Sequence, residues 1–165
     1  MTDRSFGDEI RIREASESDV PVILGFIGEI AEFERLSDEV EATGDIISRA
    51  LFGEKPEAKV ILAEIDGEPA GYAVYFNNFS TFVGRPGIYI EDIYVSEDKR
   101  GLGIGEAMMR YLARMARRQG FRRMEWAVLK WNPARTFYEG LGAEPLEDWV
   151  LYRLSGEALD RLGRG

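Results

Sequence analysis

Hydrophobic and polar positions change period several times along the chain, and each change predicts an element boundary. Glu9–Arg13 (EIRIR) alternates, which predicts a strand. Ser16-Glu17-Ser18-Asp19 has the composition of a helix start, with Ser16 or Ser18 as cap and Pro21 tolerated in the first turn. Val20, Ile23, Leu24, Ile27 and Ala31 then recur at helical spacing, predicting a helix to about residue 35, and a second short helix is predicted over residues 44–52. Lys59–Ile65 and Pro69–Phe76 predict two strands joined by a hairpin turn at Asp66-Gly67. Asn77–Gly87 is predicted as a loop and Ile88–Val95 (IYIEDIYV) as a central strand.

The longest apolar stripe follows. Ile104, Ala107, Met108, Tyr111, Leu112 and Met115 predict an amphipathic helix, with Gly120 as its stop. Arg122–Leu129 predicts another strand. Asn132-Pro133 predicts a helix start, with Ala134, Phe137, Tyr138 and Leu141 as the apolar face and Gly142 as its end. Trp149–Leu154 predicts a last strand. The order is roughly β-α-α-β-β-β-α-β-α-β, a mixed-sheet α/β (α+β) domain over 9–155. Residues 1–8 are expected to be a flexible start and 156–165 a tail.

The chain has 165 residues with 45% hydrophobic positions, enough for one folded domain. It has no Cys and no His. Disulfides, Ser-His-Asp triads, Cys-His pairs and Cys/His zinc sites are therefore impossible. Acid-base chemistry must come from carboxylates, Tyr, Lys, the terminal amine or water. No metal is expected. The polar start lacks a signal peptide's apolar core, and no apolar run approaches the ~20 residues of a membrane span, so a cytoplasmic protein with no membrane partner is expected.

Charge changes the picture further. The net charge is −9, yet it is unevenly spread. Residues 1–98 carry 8 basic and 22 acidic side chains, whereas 99–135 carry 10 basic and 2 acidic. A basic block in an acidic chain suggests a local anion site, although a solvated helix face would read the same way. The overall negative charge argues against a nucleic-acid partner.

Inside that block lies Arg100-Gly101-Leu102-Gly103-Ile104-Gly105, between the central strand and the long helix. Glycines allow close backbone approach and positive φ, and a helix N-terminus offers unpaired N–H groups, so the series can cradle a pyrophosphate. It lacks the Lys-Ser/Thr of a P-loop, because Glu106 and Ala107 follow Gly105. The central strand carries two adjacent acids, Glu91 and Asp92, which on a regular strand face opposite ways. A buried carboxylate is costly without a partner or a task. The alternative is an edge strand with a solvated Glu. Glu34 continues the first helix's apolar stripe and marks either a cleft or a solvated helix end.

Arg100-x-x-Gly103-x-Gly105 at a strand–helix junction resembles the acyl-CoA motif of the GNAT N-acetyltransferases. Asn132-Pro133-Ala134 through Phe137-Tyr138-Glu139-Gly140-Leu141-Gly142 resembles the family's later helix. Four strings together are similar to the diamine (spermidine/spermine and thialysine) acetyltransferase branch. They are Ala31-Glu32-Phe33-Glu34, Tyr89-Ile90-Glu91-Asp92, Arg100 to Gly105, and Trp131-Asn132.

The resemblance implies acetyl transfer from acetyl-CoA to a small cationic amine by direct attack in a ternary complex, in a homodimer. It implies that Tyr138 protonates the departing thiolate and that Glu91 binds and helps deprotonate the amine. Phe33, Glu34 and Asp92 join Glu91 as substrate-binding residues. The backbone of Ile93, Tyr94 and Val95 is expected to hold the pantetheine arm and thioester, and Arg100, Gly101, Leu102, Gly103, Ile104, Gly105 and Glu106 the pyrophosphate. Asn132, Ala134 and Arg135 are expected near the cofactor. The chain departs from the branch in three places. Phe33 replaces a Tyr, Gly140 replaces a basic residue, and Asn132 stands one residue nearer Tyr138 than usual. Acetylation of an amino acid, an aminoglycoside or a protein amine, and a non-catalytic acyl-CoA-binding module, are the competing readings.

Overall fold

A computed structural model describes residues 9–165, which form two compact units meeting in sequence at Ala127/Val128. The first eight residues, expected to be a flexible start, lie outside the described residues. In the first unit the elements run β1 (Ile10–Glu14), α1 (Val20–Phe33), α2 (Gly44–Phe52), β2 (Lys59–Ile65), β3 (Glu68–Ser80), β4 (Arg85–Val95), α3 (Ile104–Arg118) and β5 (Met124–Trp126). The five strands lie in the order β1-β2-β3-β4-β5, antiparallel except for the parallel β4–β5 pair. This is the mixed sheet that the alternation of strand and helix patterns predicts.

One sheet face packs against α1. Ile23 and Phe26 from the helix meet Val60, Leu62, Tyr72 and Tyr94 from the strands, and Phe26 stacks on Tyr72 at 5.2 Å between ring centroids. The helix α3 packs on β1 to β4. Its buried line is Ile104, Met108, Met109, Leu112 and Ala116, rotated slightly from the predicted stripe, with Ala107, Tyr111 and Met115 at its margin.

The hairpin at Asp66-Gly67 forms as expected, both residues having positive φ (52° and 82°). The predicted loop 77–87 is mostly ladder instead. Asn77 to Ser80 pair with Ile88 to Arg85, so β3 and β4 are longer than their apolar runs. Backbone pairing, not hydrophobic alternation, defines those ends.

The predicted strand Arg122–Leu129 shrinks to three residues. β5 pairs only with Ile88–Ile90 and stops where β4 bulges. The register Val74↔Asp92 and Tyr75↔Ile90 leaves Glu91 as the extra residue of that bulge. Beyond it no strand among the described residues pairs the outer edge of β4.

A partly buried ion cluster ties β1 to the entry of α1. Arg13 grips Asp19 with two bonds (2.8 and 2.9 Å) and reaches Glu64 on β2 at 2.7 Å. Asp19 also accepts from the Ser16 N–H at 2.8 Å. The guanidinium hydrogen bonds hold the Asp19 carboxyl far below the usual carboxylate range. Stability from this group is present above the unfolded pKa of about 3.9 and is lost as pH falls through the lower folded value. Arg13→Ala is expected to cost about 3 kcal/mol at neutral pH, because it strands two buried carboxylates. Urea melts should show the gap between wild type and variant closing as pH drops below about 4.

The second unit, Val128–Gly165, contains α4 (Ala134–Gly140) and α5 (Gly156–Gly163). Two expectations change here. Trp149–Leu154 forms no strand among the described residues; Trp149 closes a turn onto Leu146, and the next five residues are exposed. β-prone side chains make a strand only where an edge receives them. Residues 156–165, expected as a tail, are largely α5. The apolar face predicted for α4 is only partly covered: Phe137 and Leu141 are exposed and Tyr138 is half-buried.

Candidate active site

α1 ends in a closed turn. Arg35 takes positive φ (61°), and the Leu36 N–H returns to the Ala31 carbonyl at 2.8 Å. This holds Glu34 at the C-cap, half-buried instead of frayed. Burial, then the charge of Asp92, raises the Glu34 pKa above its ordinary value.

The β4 bulge decides what the two adjacent acids do. Without it Asp92 would share a face with Ile90, which lies on the α3 side opposite Tyr75. With it, Asp92 lies opposite Val74 and joins Tyr72 and Tyr94 on the α1 face. There Asp92 Oδ2 accepts the Tyr72 hydroxyl hydrogen bond at 2.6 Å. Burial raises the Asp92 pKa, and the Tyr72 bond opposes part of that rise. Glu91, the bulge residue, is exposed, and its charge still acts on the hydroxyls of Tyr72 and Tyr89. The structure thus brings Glu34, Glu91 and Asp92 around one buried phenol. Tyr72 is fully buried, and burial followed by the Asp92 charge pushes its pKa far up, so it stays a proton donor.

Phe33 completes this end of the helix. Its ring lies 6.5 Å from Tyr94, and the Arg100 guanidinium sits 4.8 Å over Phe33 and 5.4 Å over Tyr94. Arg100 Nε donates to the Val95 carbonyl at 3.1 Å. Its side chain therefore folds back on the end of β4, although the sequence suggests a charge beside phosphates.

The glycine turn has the form a pyrophosphate requires. Gly101 and Gly103 take positive φ (79° and 84°), and Gly103 is the N-cap of α3 with no side chain capping it. The first intrahelical bond runs from Ala107 to the Gly103 carbonyl, which leaves the N–H groups of Ile104, Gly105 and Glu106 facing out of the helix start. Glu106 itself pairs with Arg110 at 2.6 Å, and Leu102 is half exposed. Ile93, Tyr94 and Val95 lie on the stretch of β4 whose outer edge β5 does not cover. These residues fit an acyl-CoA: a donor-rich turn for the phosphates and an open strand edge for an amide-bearing arm.

Within the second unit the helix start falls one residue later than expected, with Pro133 at the cap position and Ala134 the first helical residue, while Asn132 Oδ1 still accepts from the Ala134 N–H at 2.9 Å. Arg135 pairs with Glu147 at 2.8 Å. The Tyr138 ring packs 5.3 Å from Phe137.

Residues 26–143 match the acetyltransferase (GNAT) family. The chain belongs to this family. It is an acetyltransferase, and the family uses acetyl-CoA as co-substrate. A thialysine N-epsilon-acetyltransferase of Bos taurus is 41% identical, covering 93% of this chain and 96% of that protein. An L-ornithine N5-acetyltransferase of Arabidopsis thaliana is 30% identical over 93% and 88%. Among solved structures, an integron cassette protein from the mobile metagenome of V. cholerae superposes with a TM-score of 0.79 at 26% identity, covering 94% of this chain and 98% of that one. No helix among the described residues of this GNAT acetyltransferase is long and apolar enough to cross a membrane.

Sequence reasoning missed Tyr72 and the Arg13 cluster. A Tyr in a strand of small and apolar residues signals a need for a hydroxyl partner. Only the register across the bulge names that partner.

Proposed function

We propose that the substrate is a small aliphatic amine with a second cationic group, a diamine or a lysine-like amine, and that Glu34 and Asp92 receive that second charge. One observation carries this: Glu34 at the end of α1 and Asp92 on the α1 face of β4 are two half-buried carboxylates close enough for the charge of Asp92 to act on Glu34, and both have raised pKa values. Such a pair gains most from a ligand that brings positive charge. The thialysine and ornithine acetyltransferases similar to this chain are named for amines of that kind.

When bound, acetyl-CoA supplies an activated acetyl group. The chain then has two proton tasks. Glu91, exposed and close to the carboxylate pair, takes a proton from the incoming ammonium, directly or through water, so that the neutral nitrogen can attack the thioester carbon. The Tyr138 hydroxyl gives its proton to the sulfur as the carbon–sulfur bond breaks. Backbone N–H groups of the Ile93–Val95 stretch that point away from β3 polarise the carbonyl. Arg100 orders the end of β4 by holding the Val95 carbonyl. We propose a homodimer, as the family resemblance implies, located in the cytoplasm, as the polar start of the sequence suggests; light scattering tests its mass.

The pH dependence has a definite sign. The amine's second charge needs ionised carboxylates, and both pKa values lie above the ordinary range. As pH falls, kcat/KM for a diamine should therefore decline earlier than unperturbed carboxylates, at about 4, would dictate. A monoamine should lack this limb.

The test is purified protein with acetyl-CoA and a panel of diamines, polyamines, lysine analogues, neutral amino acids and an aminoglycoside, with products identified by mass spectrometry. Product from cationic aliphatic amines alone supports the reading. Product mainly from an aminoglycoside or a neutral amino acid contradicts it.

A further inference from the structure

Tyr72 lies at the base of the carboxylate pair, and the reaction itself gives it no task. It is fully buried on β3, stacked on Phe26, and its hydroxyl bonds Asp92 Oδ2 at 2.6 Å. The α1 face would hold a phenylalanine as well as a tyrosine, since Phe26, Ile23, Val60 and Leu62 surround the ring. A hydroxyl there costs desolvation, which its bond to Asp92 must offset.

The charged groups facing Asp92 define what the bond does. Glu34 approaches from α1, Glu91 stands beside it on β4, and Tyr72 lies across on β3. Burial favours the neutral form of Asp92, so without a partner it would take up a proton or swing towards water. A donated hydrogen bond opposes both responses. It favours the ionised form, and it fixes one carboxylate oxygen while the other remains available to a ligand.

We propose that Tyr72 is a positioning residue that selects for a doubly charged amine, holding Asp92 ionised and aimed with Glu34 at the substrate's second cation. This rests on the functional reading above and extends it to a residue that touches no substrate. The hydroxyl acts through Asp92 alone. Its loss should therefore fall on KM for substrates with a second charge and spare those without one.

The experiment compares wild type, Tyr72→Phe, Asp92→Asn and the double variant on a linear diamine and a monoamine of equal length. In Tyr72→Phe the diamine-to-monoamine ratio of kcat/KM should fall about tenfold, mostly through KM. The acid limb of the diamine profile should move to higher pH. In the double variant the ratio should fall no further than in Asp92→Asn alone, because both changes remove one interaction. Without substrate, carbon NMR of the Asp92 carboxyl should titrate at higher pH in Tyr72→Phe than in wild type, a readout that a general loss of packing would not move. An unchanged ratio in Tyr72→Phe, or additive losses in the double variant, would overturn the role of Tyr72 while leaving the amine assignment intact. A wild type that prefers the monoamine overturns the amine assignment and the selection by Tyr72 with it.

Discussion

Tyr138→Phe should lower kcat about 100-fold while leaving affinity for acetyl-CoA within about threefold. The change keeps the ring that packs against Phe137 and removes only the O–H. General acids contribute roughly 10²–10⁴-fold. The lower end applies here, because a thiol of ordinary pKa near 8.5 departs as an anion far more readily than an alcohol would. A factor of 100 corresponds to about 2.7 kcal/mol of barrier. Rapid-quench measurement of acetylated product under saturating substrates reads the chemical step directly. Turnover within about twofold of wild type would remove Tyr138 from the reaction.

Asp92→Asn should cut kcat/KM for a diamine about 50-fold and for a matched monoamine by less than about threefold. The amide has the same shape, and its oxygen can still accept from Tyr72, so packing on the α1 face is kept. What disappears is the charge. A charge-assisted hydrogen bond contributes about 1.5–3 kcal/mol, and 50-fold is about 2.3 kcal/mol. Loss of one acid should also let the Glu34 pKa fall back towards its ordinary value, since Asp92 is one of the two causes of its rise. The residual acid limb for the diamine should shift to lower pH accordingly. Equal losses for both amines would show that Asp92 serves structure alone.

Much of this was legible in the chain because it is local. The 3.6-residue period of Ile104, Met108 and Leu112, the Asp66-Gly67 turn, and the glycine turn before α3 each depend on neighbours a few residues away. The acids were legible too, as exceptions: Glu34 continuing an apolar stripe, and Glu91-Asp92 breaking an apolar strand. The sequence alone could not give the face on which Asp92 lies. Regular alternation puts it with Ile90, and a single bulge reverses that. The bulge is a property of two strands in register, and so is the Tyr72–Asp92 bond it permits. Trp149–Leu154 shows the opposite error, in which propensity promised a strand and no described edge received it. Arg100 belongs to a third kind. Its motif position suggested phosphate, but the aromatic pair Phe33 and Tyr94, brought together by the fold, competes for the guanidinium.

The most direct measurement is kcat/KM of the wild-type protein for a linear aliphatic diamine against a monoamine of the same length, with acetyl-CoA saturating. If Glu34 and Asp92 bind the second cation, the diamine should be favoured by about 30-fold or more, and the preference should shrink as added salt screens the charges. Equal values for the two amines, or a preference for the monoamine, would contradict the claim that this acidic pair selects the substrate.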